Sequence, residues 1–199
     1  MYQLGHLAKG ARLRQTLTSP RLARSVTRPY RAPMIPLFIG LTLVNLLGLC
    51  TAGALGYASR HGYAVGPWHI LAGAMAALTS CGVHCVVFTY FIATAKWVRH
   101  AVSVKHLDPA LATPTRSFRA QAFPAALLAM ATVILTAFVG AAADNYHGRW
   151  HAVHHAMAIG SLAGNLLVAA IEYRAIDRNG RLVDRVLEGV AAAGEASAA

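Results

Sequence analysis

The sequence predicts an all-α membrane protein, a bundle of four transmembrane helices with both termini in the cytoplasm. The 199 residues are 56% hydrophobic and 13% charged, with a mean hydropathy of +0.47, which is too apolar for an ordinary soluble domain. Four segments without Lys, Arg, Asp or Glu each exceed the roughly 20 residues that a helix needs to cross a bilayer. Sixteen of the 18 basic residues lie on one side of these spans, and the positive-inside rule places that side in the cytoplasm.

Residues 1–32 are predicted to form a basic cytoplasmic arm. The arm carries basic residues but no acidic ones, which suits contact with anionic lipid headgroups and needs no nucleic acid to explain it. The expected location is a bacterial inner (plasma) membrane. Because the same composition resembles an organelle transit peptide, an organelle membrane is the alternative.

Residues 33–176 are predicted to form the transmembrane domain. Its spans are expected at about residues 34–57, 67–96, 122–143 and 150–174. Trp68 and Trp97 bracket the second span at the depth of the membrane interfaces, as aromatic belts do.

Proline and helix-capping residues predict where the helices end and the cytoplasmic connections begin. The inner loop, residues 98–121, contains two prolines and is expected to be partly irregular. Helix 4 contains Gly160 and Gly164, a small-xxx-small pattern that allows close helix approach. Asn179 and Gly180 form a good C-cap, so a tail of residues 177–199 should follow, first a short amphipathic helix and then a disordered end.

Histidines cluster at the predicted outer side of the membrane. Six of the 10 lie there: His61, His69, His147, His151, His154 and His155. If a helix starts near residue 147, then His147, His151 and His155 share one face with His154 beside them, and Asp144 can hydrogen-bond an imidazole. Such a cluster predicts a copper, zinc or iron site.

A haem is a second interpretation of the same histidines. Transmembrane b-type cytochromes hold haem between imidazoles from two helices. His69 begins helix 2, and His155 or His151 could face it from helix 4. One haem b near the outer face is therefore expected if a haem is bound.

The stretch HGRWHAVHH, residues 147–155, resembles the H-x-x-x-H and H-x-x-H-H boxes of membrane di-iron desaturases and hydroxylases. This resemblance implies that His147, His151, His154 and His155 are iron ligands. That family uses three separated boxes on the cytoplasmic side, whereas these two overlap on the predicted outer side. The stretch lacks the glutamate of H-E-x-x-H metalloproteases.

His84 lies about 22 Å deeper than His69 at 1.5 Å per residue, so it cannot join the outer cluster. An ionisable residue at that depth must be partnered and is a candidate functional residue. Counted along helix 4 from His151, Asn165 lies at about the same depth as His84. It is therefore the expected hydrogen-bond partner of His84, and both are expected to be buried polar residues. Glu172 is expected at the inner interface, paired with Lys96 or reaching the headgroups.

The runs VHCVVFTYFIATAKWVRHAV, residues 83–102, and NLLVAAIEYRAIDRNGRLVD, residues 165–184, resemble an uncharacterised family of bacterial four-span integral membrane proteins. The resemblance supports the architecture and implies no activity.

Three functions remain open from the sequence. The first is a small integral membrane subunit, or an accessory or assembly factor, of a membrane complex, plausibly a respiratory or redox one. The second is an electron-transfer protein with a b-type haem or metal at the outer face. The third is a di-iron oxygenase-like enzyme. Partners are expected to be the lipid bilayer and other membrane proteins or a second copy. No serine, histidine and acid set indicates hydrolysis.

Overall fold

The structure, a computed structural model, describes residues 31–146 and 148–196. In this part of the chain, the regular elements are four long α-helices and a short 3-10 helix, Pro109–Ala112. The long helices are α1 (Arg31–Arg60), α2 (Gly66–Val104), α3 (Pro114–Tyr146) and α4 (Arg149–Ala196). All four are long and apolar enough to cross a membrane, which confirms the predicted class. The described part of the chain is all-helical, and the protein is a multi-pass membrane protein.

The four helices form a closed bundle. Each packs against its two neighbours in the order α1, α2, α3, α4, and α2 also meets α4 across the diagonal. Large apolar side chains cover the outward faces, with Leu47, Leu78, Phe138 and Leu167 all more than half exposed. This surface is suited to lipid contact, as expected for spans without charged residues.

The interior changes character along the bundle axis. In the half that the charge pattern predicts to be cytoplasmic, the buried core contains large side chains such as Phe38, Phe91 and Ile176. In the outer half, the buried apolar residues include alanines such as Ala52 and Ala143. Small residues let helix backbones approach closely in a membrane protein. The outer half is therefore built from small side chains, and the bulk of the core lies at the other end.

Three of the helices extend beyond their expected spans at the end of the bundle that is predicted to be cytoplasmic. The expected irregular loop over residues 98–121 is shorter, because α2 continues to Val104 and α3 begins at Pro114. The predicted helix end at Asn179 and Gly180 is wrong, since α4 passes through both residues, which are buried, and continues to Ala196.

The expected amphipathic face of the tail does exist, as part of this same helix. Leu182, Val183 and Val186 are buried in the apolar core with Val102 and Phe118. The tail is thus helical up to residue 196, where disorder was expected. The basic arm over residues 1–30 and residues 197–199 lie outside the described residues.

Close helix contacts occur at other glycines than those predicted. A Cβ atom added at Gly160 or Gly164 would meet nothing within 4 Å, so this pair does not mediate packing among the described residues. A Cβ added at Gly56 or Gly140 would instead collide with a histidine ring. The close approaches in the outer half are therefore contacts between glycine backbone and imidazole.

The N-in, C-in orientation is a prediction that cysteine labelling can check. In a background without the three native cysteines, Tyr63→Cys, between α1 and α2, should react with a membrane-impermeant maleimide added outside intact cells. His106→Cys, between α2 and the 3-10 helix, should react only after permeabilisation, because charge sorting puts that loop inside. The reverse labelling pattern would overturn the orientation.

Candidate functional site

Two histidine rings face each other at the outer end of the bundle. His69 near the start of α2 and His154 near the start of α4 have ring centroids 6.0 Å apart with an interplanar angle of 70°. Both side chains are half-buried. Because α2 and α4 are the diagonal pair, the two rings meet between the other two helices.

Each ring is held by a hydrogen bond to a backbone carbonyl of the preceding helix. Nδ1 of His69 lies 2.9 Å from the carbonyl oxygen of Ala52, and Nδ1 of His154 lies 3.0 Å from that of Thr136. A carbonyl oxygen can only accept, so Nδ1 carries the hydrogen in both rings. In the neutral imidazoles, Nε2 then keeps its lone pair, which is the arrangement found in metal-ligating histidines.

Glycines make room for both rings. A Cβ at Gly56 would lie 2.7 Å from Cε1 of His69, and a Cβ at Gly140 would lie 2.8 Å from Cε1 of His154. Any side chain at either position would have to displace the ring, since real Cβ atoms do not approach so closely. Each imidazole therefore lies in a cradle that only glycine leaves open.

The two helical hairpins, α1–α2 and α3–α4, repeat one arrangement. In each, a backbone carbonyl binds the histidine, a glycine lies four residues after that carbonyl, and the hairpin loop contains a glycine with positive φ, Gly62 at 87° or Gly148 at 62°. Ser80 and Asn165 each follow their histidine by eleven residues and are hydrogen-bonded to each other at 3.0 Å. The two hairpins thus share one local arrangement, in which His69 and His154 occupy equivalent positions.

The other outer histidines are arranged differently. His151 and His155, the expected partners of His69, are both exposed, and the ring in contact with His69 is that of His154. His61 is exposed and packs on Tyr57. His147 lies outside the described residues. Among the described residues, no group of three or more His, Cys, Asp or Glu could hold a metal ion.

Below this pair, α2 and α4 are joined by three buried rungs of hydrogen-bonded side chains. In the upper rung, Oδ1 of Asn165 accepts from Nδ2 of Asn45 and from Oγ of Ser80, both at 3.0 Å. In the lower rung, Nδ2 of Asn179 donates to Oγ1 of Thr94 at 3.0 Å. These two rungs consist of amide and hydroxyl groups.

The middle rung is ionisable. Nδ1 of His84 lies 2.8 Å from Oε1 of Glu172, and the two side chains are 2% and 1% exposed. The expected bond from His84 to Asn165 is therefore wrong. Glu172 does not anchor the chain at the inner interface either, whereas Lys96 is exposed. An acid and a base meet in the membrane interior, where ionisable groups mark functional sites.

Some atoms of these rungs have no hydrogen-bond partner. They are Oδ1 of Asn45, Nε2 of His84 and Oε2 of Glu172. Two of the three belong to the middle rung, and the third belongs to the rung above it. The polar interior is thus incompletely satisfied at the upper and the middle rungs.

The three cysteines form no disulfide. Cys50 and Cys85 are exposed toward the lipid-facing surface, and Cys81 is partly buried. Although Cys81 and Cys85 are close to His84 in sequence, the partner of that histidine is a carboxylate.

Comparisons with protein-family models, with curated proteins and with solved structures find no match for this chain. The function is therefore argued from the site.

Proposed function

We propose that this chain is a small integral membrane subunit of a redox complex and that it holds one b-type haem at the outer face between His69 and His154. The observation that carries the proposal is the pair of facing imidazoles, each bonded through Nδ1 to a carbonyl so that Nε2 is left as a ligand. The bacterial plasma membrane is the proposed location.

The number of ligands favours haem over a bare metal ion. Structural zinc needs four protein ligands, and the described residues offer no group of even three. A haem needs only axial ligands from the protein. His69 and His154, whose ring centroids are 6.0 Å apart, would be the two residues that hold such a group.

Small residues and basic residues lie at this end of the bundle. The small ones are Ala52 and Gly56 on α1 and Gly140 and Ala143 on α3. Two exposed arginines, Arg60 at the end of α1 and Arg149 at the start of α4, could pair with the carboxylates of a haem.

In this role the protein would bind the haem and orient the two histidine rings that hold it. A bound haem would supply a one-electron site. The two Nδ1–H groups donate to carbonyls, which fixes the tautomer and makes Nε2 a better electron donor. The lipid-facing surface leaves room for a partner membrane protein or a second copy, with which electrons would be exchanged.

Spectroscopy of the purified protein tests the proposal. With haem supplied during expression, the detergent-purified chain should show a Soret band with about one haem per chain. His69→Ala and His154→Ala should each lose low-spin haem, because each removes an axial ligand. His155→Ala is the matched control, since it removes the neighbouring, exposed imidazole of the same helix and should leave the spectrum unchanged.

Other outcomes would overturn the haem proposal and separate the alternatives. Stoichiometric copper or zinc without a Soret band would indicate a bare metal ion. Stoichiometric non-haem iron lost in His155→Ala would favour the di-iron interpretation. A colourless, metal-free protein that co-purifies with oxidase or dehydrogenase subunits would indicate an assembly or accessory role.

A further inference from the structure

We propose that His84 and Glu172 form a proton-binding site in the middle of the bundle and that this site exchanges its proton with the outer face of the membrane. The proposal does not depend on haem binding. It rests on the burial of the pair, on the unpartnered atoms beside it, and on a difference between its outer and cytoplasmic surroundings.

The need to hold α2 and α4 together does not explain why the side chains of this rung are ionisable. The rungs above and below it join the same two helices with amide and hydroxyl groups, which need no proton. A buried ion pair is often no more stabilising than apolar residues of the same size. His84 and Glu172 thus carry a property that adhesion does not require, namely the capacity to gain and lose a proton.

The geometry fixes where the proton can leave. The pair is net neutral either as imidazolium with carboxylate or as imidazole with carboxyl. In both forms Nδ1 and Oε1 share one hydrogen and Nε2 carries another. That Nε2–H has no acceptor, and Oε2 of Glu172 has no donor. Release of the Nε2 proton together with uptake of one at Oε2 leaves the pair neutral and changes no oxidation state.

Polar groups continue from the pair to the outer face. Ser80 lies one helical turn above His84, and its rung holds the unpartnered Oδ1 of Asn45. From that rung, Nδ2 of Asn165 donates to the carbonyl of Ser161 at 2.9 Å, and Oγ of Ser161 lies 2.8 Å from Oγ1 of Thr136. The carbonyl of Thr136 accepts from His154. Water between the upper and middle rungs would complete this path, because donors and acceptors there lack partners.

The cytoplasmic side of the pair is closed by apolar packing. Val87 and Phe91 on α2 and Ile176 on α4 lie between the middle and the lower rung, and each is at most 1% exposed. Apart from Tyr90, the buried side chains of α2 and α4 between these two rungs are apolar, so a proton meets fewer polar groups toward Thr94 and Asn179 than toward the outer face. The proton therefore exchanges with the outer side.

Few other charges surround the pair. Neither α1 between residues 32 and 59 nor α3 between residues 120 and 143 contains Lys, Arg, Asp, Glu or His. On α2, the titratable side chains nearest in sequence are Cys81, Cys85 and Tyr90, of which Cys85 is exposed. On α4, the neighbouring Tyr173 and Arg174 are both exposed. The position of the proton in the pair thus depends mainly on His84 and Glu172 themselves.

Hydrogen–deuterium exchange tests the site and its sidedness. The chain is labelled with 15N-histidine and reconstituted in one orientation, and the Nε2–H signal of His84 is assigned by its loss in His84→Asn. When only the outer solution is replaced by deuterium oxide, that signal should disappear within minutes. The double variant Asn45→Val/Ser80→Ala should slow the exchange by about tenfold or more, because it removes the outer polar path.

The matched control acts on the other side of the pair. Thr94→Val removes the lower rung and should leave the exchange rate unchanged. A His84 signal that persists for days in the wild-type protein, where no variant has to fold, would overturn the proposal. Exchange slowed by Thr94→Val but not by the outer variant would also overturn it.

Discussion

Replacing His84 with leucine is expected to lower the free energy of unfolding by about 3–5 kcal/mol, because it leaves the carboxylate of Glu172 buried without its partner. Denaturation in mixed micelles, followed by helix content, measures this change. Glu172→Leu should destabilise to a similar degree, since it leaves the imidazole unpaired.

The double variant His84→Leu/Glu172→Leu is the decisive control. Two apolar side chains of suitable size can replace a buried ion pair at little or no cost, so the double variant should recover most of the lost stability. It should at the same time abolish proton binding at the site. A double variant as unstable as the sum of the single ones would mean that the pair stabilises the bundle beyond mutual neutralisation.

Gly56→Ala and Gly140→Ala are expected to destabilise the outer end of the bundle by about 1–3 kcal/mol, because each added methyl group overpacks against an imidazole. The Cβ would lie 2.7 Å from His69 or 2.8 Å from His154, so the ring has to move and its bond to the carbonyl weakens. Haem affinity should fall by about 10–100-fold, the usual effect of losing a hydrogen bond that orients a metal ligand.

Gly53→Ala and Gly160→Ala are matched controls with the opposite expected sign. A Cβ at either position meets nothing within 4 Å, so alanine there should stabilise the helix by up to about 1 kcal/mol. Unfolding and haem titration on all four variants check the comparison. Equal behaviour of the two sets would contradict the role of the glycine cradles.

The sequence predicts the four helices that are long and apolar enough to cross a membrane, because hydrophobicity alone decides which segments can do so. It does not predict how far the helices continue beyond the expected spans. Charged residues mark the end of the hydrocarbon region, but a helix can continue beyond it if a partner buries one face. Asn179 has the composition of a helix cap, yet its amide bonds Thr94 on another helix, and this tertiary contact replaces the capping role.

Only part of the site could be predicted, because the sequence does not fix which face of its helix each histidine occupies. Neighbouring residues on a helix point about 100° apart, so the sequence could not decide whether His154 or His155 faces His69. Depth counted from His151 places Asn165 level with His84. Counted from His154, Asn165 is level with Ser80, which is its partner. The glycine and histidine repeated in each hairpin are a signal that could have found this register.

The rungs between α2 and α4 bear on how the chain enters the membrane. The segment with the lowest mean hydropathy of the four is that of α4, at 1.4 against 1.8–2.2 for the others, and its inward face carries Asn165, Glu172 and Asn179. Alone in lipid, these polar groups would have no partners. During synthesis the first hairpin is made before α4, and its α2 already presents Ser80, His84 and Thr94. We therefore expect the first hairpin to act as the template on which the last helix is inserted.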